Sequence, residues 1–253
     1  MLVKFVEKLA NRLGFELRRG GLIRHSPRKI GPFWHQAILS NATYAPWLGD
    51  VSFLETYDAI FNNTLVDIYR CYELWDLLPQ TLHLPGDILE VGAWRGGTGC
   101  LLGARASTLN ADKKTYLFDT FKGVVKVSDK DSFYSGGEHA DAALEDVQTL
   151  AQTLGLCNLE IRRGIFPDDF QAEMGGRTFC LVHIDVDIYQ SAKDVMNFVW
   201  PKMPAGGIVV FDDYGCPNCD GIPKLVAEYR QDKDKIITYN LNGHAVVIKL
   251  TQP

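Results

Sequence analysis

Two pairs of aspartates are the side chains best suited to chemistry in this chain of 253 residues. Asp185 and Asp187 follow one apolar stretch (CLVHI), and Asp212 and Asp213 follow another (GIVVF). In a doubly wound parallel sheet the two strands would be neighbours, so Asp185, Asp212 and Asp213 would converge on one rim of the sheet. Three carboxylates at such short range repel one another unless a cation or protons compensate their charge.

Hard oxygen ligands that leave open coordination positions suit Mg²⁺, and Mn²⁺ is also plausible. We therefore predict a metal site formed by Asp185, Asp212 and Asp213. Asp185 or Asp187 is the predicted acceptor of a substrate proton. The structural alternative is that Asp187 or Asp213 only caps a following helix, as aspartates at strand ends often do.

A glycine-rich segment, EVGAWRGGTG at residues 90–99, closes an earlier apolar stretch and opens a helical pattern. Open α/β sheets bind ligands at such strand ends, and glycine lets a cofactor lie against the backbone. The segment lacks the G-x-G-x-x-G spacing, which disfavours a pyrophosphate at the helix N-terminus. An acid two positions before the first glycine suits the ammonium group of S-adenosylmethionine instead. The predicted cofactor contacts here are Glu90, Gly92, Trp94, Gly96 and Thr98.

Asp119 ends the next apolar stretch (TYLFD), where its carboxylate could accept hydrogen bonds from both hydroxyls of a ribose. A dinucleotide enzyme places an acid at the same position, so a nicotinamide-dependent oxidoreductase is an alternative. A tight turn that binds no ligand is the structural alternative for the glycine segment.

The hydrophobic pattern predicts the elements that must hold these residues. From about residue 86, apolar runs alternate with amphipathic helical patterns, which indicates a parallel sheet with helices on both faces. The final two runs are joined by LNGH at 241–244, and Asn-Gly favours a hairpin. The predicted fold is α/β, a Rossmann-like class I methyltransferase with a mostly parallel seven-stranded sheet and an antiparallel C-terminal hairpin. The predicted strands are 86–92, 115–119, 159–163, 180–186, 207–212, 236–240 and 245–250, and the predicted helices lie near 97–109, 140–155, 190–200 and 221–230.

Residues 123–139 (GVVKVSDKDSFYSGGEH) are a long polar loop with paired glycines. Loops of this length often act as active-site lids. His139 in this loop could act on a substrate or could simply be solvated. Further along the chain, Ser191 and Asp194 predict a capping box at the start of a helix that Pro201 ends.

Composition limits the possible partners. The net charge of -5 and the pI of about 5.7 argue against a nucleic-acid partner. No apolar run is long enough to span a membrane, and the N-terminus lacks the pattern of a secretory signal, so a cytoplasmic protein is expected.

Residues 1–30 carry eight Lys or Arg against two Glu, a net +6. Apolar residues interleaved with these charges predict a basic amphipathic helix over 2–18. It would contact a membrane surface or a partner, or dock on the core or on a sister subunit of a homo-oligomer.

The six cysteines are scattered, which is typical of reduced thiols. Cys216 and Cys219 form a C-x-x-C pair, which could be redox-active or half of a zinc site. No second pair and no histidine has the spacing of a zinc site, so the two residues are interpreted as loop cysteines.

Together these motifs resemble the macrocin O-methyltransferase (TylF-type) family. The matching pieces occur in the family's order between about residues 60 and 230: EVGAWRGG, DTFKG, GIFPD, DVDIYQS and GGIVVFDDY. The resemblance implies a class I methyltransferase fold, S-adenosylmethionine and magnesium as cofactors, and hydroxyls of antibiotic deoxysugars as acceptors. It assigns the metal to the same three aspartates. It also adds Phe121 and Phe166 near the adenine and Thr64 as a cofactor contact.

The sequence departs from the family where an acceptor would bind. Val124 and Val125 stand where the family tends to have Leu-Pro, and the first fifty residues match no part of it. The expected function is therefore metal-dependent O-methylation of a small-molecule hydroxyl, on a sugar or a glycosylated natural product. A catechol or other phenolic acceptor and a catalytically inactive scaffold are alternatives. The predicted division is an N-terminal helical or irregular extension (1–60), with oligomer or substrate contacts, and a cofactor-binding methyltransferase domain (61–253).

Overall fold

The computed structural model describes residues 15–18, 21–24, 27–38 and 42–251, and the chain divides into two compact units, 1–43 and 44–253. The strands are β1 (Phe15–Arg18), β2 (Gly21–Arg24), β3 (Arg28–Ile30), β4 (Phe33–His35), β5 (Asp87–Val91), β6 (Thr115–Asp119), β7 (Leu159–Arg163), β8 (Phe179–Ile184), β9 (Ile208–Phe211), β10 (Lys235–Tyr239) and β11 (Ala245–Lys249). The α-helices are α1 (Val51–Ile60), α2 (Ile68–Thr81), α3 (Gly97–Thr108), α4 (Leu144–Thr153), α5 (Gln171–Met174), α6 (Tyr189–Val199) and α7 (Gly221–Tyr229). Short 3₁₀ turns cover Pro46–Gly49, Phe61–Asn63, Asp168–Phe170, Trp200–Lys202 and Asp212–Gly215.

The first unit contains two antiparallel strand pairs, β1 with β2 and β3 with β4. The predicted helix over 2–18 is wrong for residues 15–18, because their backbone groups pair across a ladder with Gly21–Arg24. Residues 1–14 lie outside the described residues.

The second unit is built on one seven-stranded sheet in the order β10-β11-β9-β8-β5-β6-β7. The five strands from β9 to β7 are parallel, and β11 is antiparallel to both β9 and β10. The predicted fold class and its C-terminal hairpin are confirmed. The strand order reverses between β5 and β8, which is where open α/β sheets form their ligand crevice.

Alternating side chains of the strands pack on opposite faces of this sheet. On one face Val209 and Phe211 of β9 join the apolar side chains of α6 and α7. On the other face Ile208 and Val210 join those of α1, α2 and α3. Both faces are therefore covered, which is why the central strands have no polar face. Within the described ranges no helix is both long and apolar enough to cross a lipid bilayer.

The ends of the predicted strands in this unit agree with the structure to within two residues, and the helix predicted from 140 begins at Leu144. The helices α1 and α2 were not predicted. Phe53 and Ile60 of α1 are fully buried in the core. The compact unit that contains α1 begins at Tyr44, whereas the predicted boundary follows residue 60.

Two local predictions need correction. Helix α6 begins at Tyr189 without a side-chain cap, and the Ser191 hydroxyl donates instead to the Val125 carbonyl at 3.0 Å. The predicted capping box is absent because Ser191 lies inside the first turn and holds the polar loop. In the C-terminal hairpin the connection spans 240–244, one residue more than the predicted 241–244.

Trp75 of α2 links the two unpredicted helices, which makes it a direct test of the packing. It is 1% exposed, its Nε1 donates to Asp50 Oδ2 at 2.9 Å, and Asp50 caps α1 by accepting from Phe53 N. We expect Trp75→Ala to lower the free energy of unfolding by about 3–5 kcal/mol because a large cavity results. Trp75→Phe keeps most of the ring and should cost about 1–2 kcal/mol. Urea unfolding checks both values, and equal losses in the two variants would contradict this account.

Candidate active site

A cavity of about 300 Å³ opens at the carboxyl ends of β5, β6, β8 and β9. Its wall combines these strand ends with the start of α2 and with the polar loop 123–139. The position agrees with the point where the strand order reverses.

Gly92 brings the two sides of the crevice together. Its φ is +95°, and a Cβ at this position would lie 1.6 Å from the Asp185 carbonyl oxygen. A side chain would therefore force the ends of β5 and β8 apart. Glycine at this position places the cofactor loop directly beside the first aspartate pair.

Three of the predicted carboxylates converge on the rim. Oxygens of Asp185, Asp212 and Asp213 all lie within 4.8 Å of one another. Burial and the charges of the other two aspartates raise the pKa of Asp185 well above its ordinary value. Burial, with the charges of Asp187 and Asp212, does the same for the pKa of Asp213. No side chain or backbone group of the described residues donates a hydrogen bond to the Asp185 carboxylate. Hard oxygens with uncompensated charge fit a divalent cation such as Mg²⁺.

Asp187 lies apart from that group and faces the polar loop. Its φ of +65° turns the chain after Asp185, and its backbone N donates to Asp213 Oδ2 at 2.9 Å. Its Oδ1 accepts from the Tyr134 hydroxyl at 2.6 Å, and His139 Nε2 is 4.0 Å from Oδ2. Burial raises the pKa of Asp187. The arrangement leaves Asp187 on the cavity wall, next to two side chains of the loop.

Asp212 is at the centre of a buried chain of histidines and carboxylates. Its Oδ1 lies 2.8 Å from His244 Nε2 and 3.5 Å from His183 Nε2. The other ring nitrogens face acids: His244 Nδ1 is 2.6 Å from Glu73 Oε2, and His183 Nδ1 is 2.9 Å from Glu90 Oε1. We name these five residues the histidine–carboxylate chain. Both histidines are fully buried.

The pKa shifts of His183 and Asp212 follow from this arrangement. Burial alone would lower the pKa of His183, but the carboxylates of Asp212 and Glu90 outweigh it and raise the pKa to about 10. Burial alone would raise the pKa of Asp212, but the adjacent rings of His183 and His244 and the Arg70 guanidinium lower it below the ordinary value. Asp212 is therefore held as a carboxylate while its neighbours Asp185 and Asp213 lack such partners.

Arg70 of α2 is the cation nearest to the carboxylates in this structure. Its Nη1 pairs with Asp212 Oδ2, and its Nε donates to Asp67 Oδ2 at 2.9 Å. Arg70 lines the cavity, so its guanidinium lies where an ion bound by Asp212 would approach. A metal ion at this aspartate would share Oδ2 with Arg70 or displace it.

The predicted cofactor contacts divide into two groups. Asp119 accepts from Trp94 N at 2.7 Å and from Phe121 N at 2.6 Å, which fixes its carboxylate at the end of β6. The predicted residues that line the cavity are Thr64, Gly92, Trp94, Thr98, Asp119 and Phe166.

Three other predicted contacts do not line the cavity. The Glu90 side chain is fully buried on His183, and its Oε2 lies under Gly99 of α3, where a Cβ would approach it to 2.4 Å. Gly96 packs on Val147, and Phe121 packs on the small apolar cluster around Leu117. These three residues lie behind or beside the cavity lining in this structure, and their contact with a cofactor stays a prediction.

Sequence reasoning also missed residues that the structure brings to the site. Arg70 and Tyr134 come from a helix and a loop distant in sequence, with no motif to mark them. His183 of β8 carried a weak signal, because a histidine inside an otherwise apolar strand must find a polar partner. His244 lies in the connection before β11, and no motif marks it. The C-x-x-C pair lies nearby: Cys216 lines the cavity, and Cys219 is 1% exposed beneath it. All six cysteines are free thiols.

Comparison with known proteins agrees with this geometry. The sequence profile of the macrocin-O-methyltransferase (TylF) family matches residues 61–243. Mycinamicin III 3''-O-methyltransferase of Micromonospora griseorubida is 28% identical over 208 residues, which cover 75% of this chain and 79% of that protein. Demethyldecarbamoylnovobiocin O-methyltransferase of Streptomyces niveus is 27% identical over 198 residues, covering 72% and 74%. The solved structure of the O-methyltransferase NovP superposes with a TM-score of 0.66 at 22% identity, covering 75% of this chain and 83% of that one.

The histidine–carboxylate chain predicts an unusually costly substitution far from the cavity opening. His244→Ala leaves Asp212 and Glu73 without their shared partner, so we expect the free energy of unfolding to fall by about 3–5 kcal/mol. Glu73→Gln keeps an oxygen that accepts from His244 and should cost less. His83→Ala is the matched control, since His83 is exposed, and it should change little. Urea unfolding of the three variants decides: a His244→Ala loss no larger than that of His83→Ala would contradict the buried chain.

Proposed function

The chain belongs to the macrocin O-methyltransferase (TylF) family of S-adenosylmethionine-dependent O-methyltransferases, and we propose that it methylates a sugar hydroxyl of a glycosylated natural product with the help of Mg²⁺. The observation that carries this proposal is the convergence of Asp185, Asp212 and Asp213 on the rim of the cavity. The family match favours a methyltransferase over the two alternatives, a nicotinamide-dependent oxidoreductase and a catalytically inactive scaffold.

The cofactor is proposed to bind along the ends of β5 and β6. Asp119 offers carboxylate oxygens toward the cavity, where they would accept hydrogen bonds from the ribose hydroxyls of S-adenosylmethionine. Phe166 is 4% exposed and lines the same part of the cavity, so its ring suits contact with the adenine. Gly92 leaves room for the methionine portion, because no side chain projects there.

The acceptor is proposed to bind between the aspartates and the polar loop. Asp185, Asp212 and Asp213 would hold Mg²⁺, which when bound lowers the pKa of an alcohol and fixes its position. Asp187 is the residue proposed to accept the hydroxyl proton. It lines the cavity beside the three proposed metal ligands and is not one of them. Tyr134 and His139 orient this carboxylate from the loop side. Alignment of the hydroxyl with the sulfonium methyl then supplies most of the rate enhancement.

The proposal of a sugar acceptor rests on the relatives. One relative, 30% identical over 170 residues, is the 8-demethyl-8-(2,3-dimethoxy-alpha-L-rhamnosyl)-tetracenomycin-C 4'-O-methyltransferase of Streptomyces olivaceus, whose name includes a rhamnosyl group. The wall of this cavity near the loop includes Val124 and Val125, where the chain departs from the family pattern. The particular sugar and hydroxyl would be determined there.

Cofactor binding can be tested on one strand with a matched control. Asp119→Ala should weaken binding of S-adenosylmethionine roughly 10- to 100-fold, as expected when one or two charge-assisted hydrogen bonds are lost. Asp112→Ala removes an exposed carboxylate just before the opposite end of β6 and should leave the affinity unchanged. Isothermal titration calorimetry measures both. Equal affinities in the two variants would place the ribose elsewhere.

The reaction itself can be tested with labelled S-adenosylmethionine and three acceptors: a deoxysugar-bearing natural product, its aglycone and a simple catechol. We expect label only in the glycosylated compound, loss of labelling with a chelator, and recovery with Mg²⁺. Asp187→Asn should reduce kcat by about 10²- to 10⁴-fold, as expected when a general base is lost, while cofactor affinity is retained. Labelling of the catechol alone would identify a phenolic acceptor, and full activity in chelator would remove the metal from the mechanism.

A further inference from the structure

Cys216 and Cys219 lie next to the carboxylates rather than in an independent loop. The 3₁₀ turn Asp212–Gly215 leads directly into Cys216, and the short loop that follows returns Cys219 beneath the cavity. One oxygen of Asp213 and the two Sγ atoms all lie within 4.8 Å of one another. The structure thus supplies the partner that the C-x-x-C pair lacks in the sequence.

The distances around Cys219 match those between ligands on a single tetrahedral ion. Its Sγ is 3.6 Å from Asp213 Oδ1 and 3.5 Å from Asp187 Oδ1. Bonds of ~2.3 Å from zinc to sulfur and ~2.1 Å to oxygen, at a tetrahedral angle, place two ligand atoms ~3.6 Å apart. Cys216, Cys219 and Asp213 would supply three ligands, and solvent could complete the shell.

A thiol proton alone does not account for these neighbours. The Tyr134 hydroxyl, 3.8 Å from Cys219 Sγ, donates to Asp187, which leaves the single S–H of Cys219 facing one oxygen of each of two carboxylates. Both aspartate side chains are largely buried, and neither is paired with a lysine or arginine. A divalent cation would satisfy all of these groups together.

We propose that Cys216, Cys219 and Asp213 form a second cation site, selective for a thiophilic divalent ion of the Zn²⁺ class. Sulfur ligands favour such ions over Mg²⁺, which prefers oxygen alone. Cys216 lines the cavity, so an ion reaches the site from the side open to solvent. Ligation releases the two thiol protons to the solvent and leaves every residue otherwise unchanged.

Asp213 belongs both to this thiol site and to the carboxylate group with Asp185 and Asp212. An ion bound to the thiols would therefore compete for Asp213, which is also a ligand of the proposed Mg²⁺ site. The consequence is inhibition of methyl transfer by a thiophilic metal. The site itself does not depend on the identity of the acceptor or on the proposed reaction.

The test uses Co²⁺ as a spectroscopic probe on the full chain, reduced with a phosphine and freed of metal. We expect one equivalent of Co²⁺ to give a near-ultraviolet thiolate-to-cobalt band and the visible spectrum of a tetrahedral site, both lost on adding Zn²⁺. Cys216→Ser should weaken Co²⁺ binding at least tenfold, as expected from loss of a ligand, and diminish the thiolate band. Cys219→Ser should act in the same way. Cys157→Ser is the matched control, because Cys157 is exposed and outside this cluster, and its spectrum should equal that of the parent.

Absence of the thiolate band in the parent chain, or its persistence in Cys216→Ser, would overturn the proposal. So would its loss in Cys157→Ser. Circular dichroism shows whether the buried Cys219 variant folds, and the half-buried Cys216 variant decides the matter if it does not. Because the band is read without substrate, failure of the methyl-transfer assay and failure of this site are separate results.

Discussion

The concentration of negative charge at the ends of β8 and β9 is the constraint on which the rest of the site depends. Asp185, Asp187, Asp212 and Asp213 lie at the ends of two hydrogen-bonded strands that are fully buried and apolar except for His183. Buried like charges are tolerated only with cations, protons or hydrogen bonds to compensate. On one side the structure supplies them, because Arg70 and two histidines surround Asp212. On the other side no lysine, arginine or histidine of the described residues pairs with Asp185 or Asp213, and this asymmetry is what supports the proposed cation site.

The same requirement connects distant elements. Through His244 and His183, Asp212 joins Glu73 on α2 to Glu90 on β5. The helix that sequence patterns did not predict is thereby tied to the strand that carries the cofactor loop. Glu90 is fully buried, and one of its carboxylate oxygens lies 2.9 Å from His183 Nδ1. The acid two residues before the glycine loop is therefore part of the buried network.

Asp213 is shared by the two proposed cation sites. Toward Asp185 and Asp212 its surroundings are hard oxygens, and toward Cys216 and Cys219 they are sulfur. Asp187 has a left-handed backbone conformation and contacts the polar loop through Tyr134. Its carboxylate lies outside the group formed by Asp185, Asp212 and Asp213. The four aspartates therefore have different proposed roles, as cation ligands or as proton acceptor, because their side chains point in different directions at the strand ends.

The sequence by itself determined the sheet, its antiparallel last pair and the three aspartates that meet at the rim. Those features follow from hydrophobic period and from the rule that parallel strands bring their carboxyl ends to one edge, both of which are local or topological. It did not determine helices α1 and α2 or the histidine–carboxylate chain. Nor did it determine that Glu90, Gly96 and Phe121 lie outside the cavity lining, or that the two cysteines lie next to Asp213. These were decided by tertiary packing, because which atoms fill the space behind a strand or across a loop depends on residues up to 171 positions apart. Hydrogen-bond partners at such separations leave no period in the sequence, and only the folded chain brings them within reach.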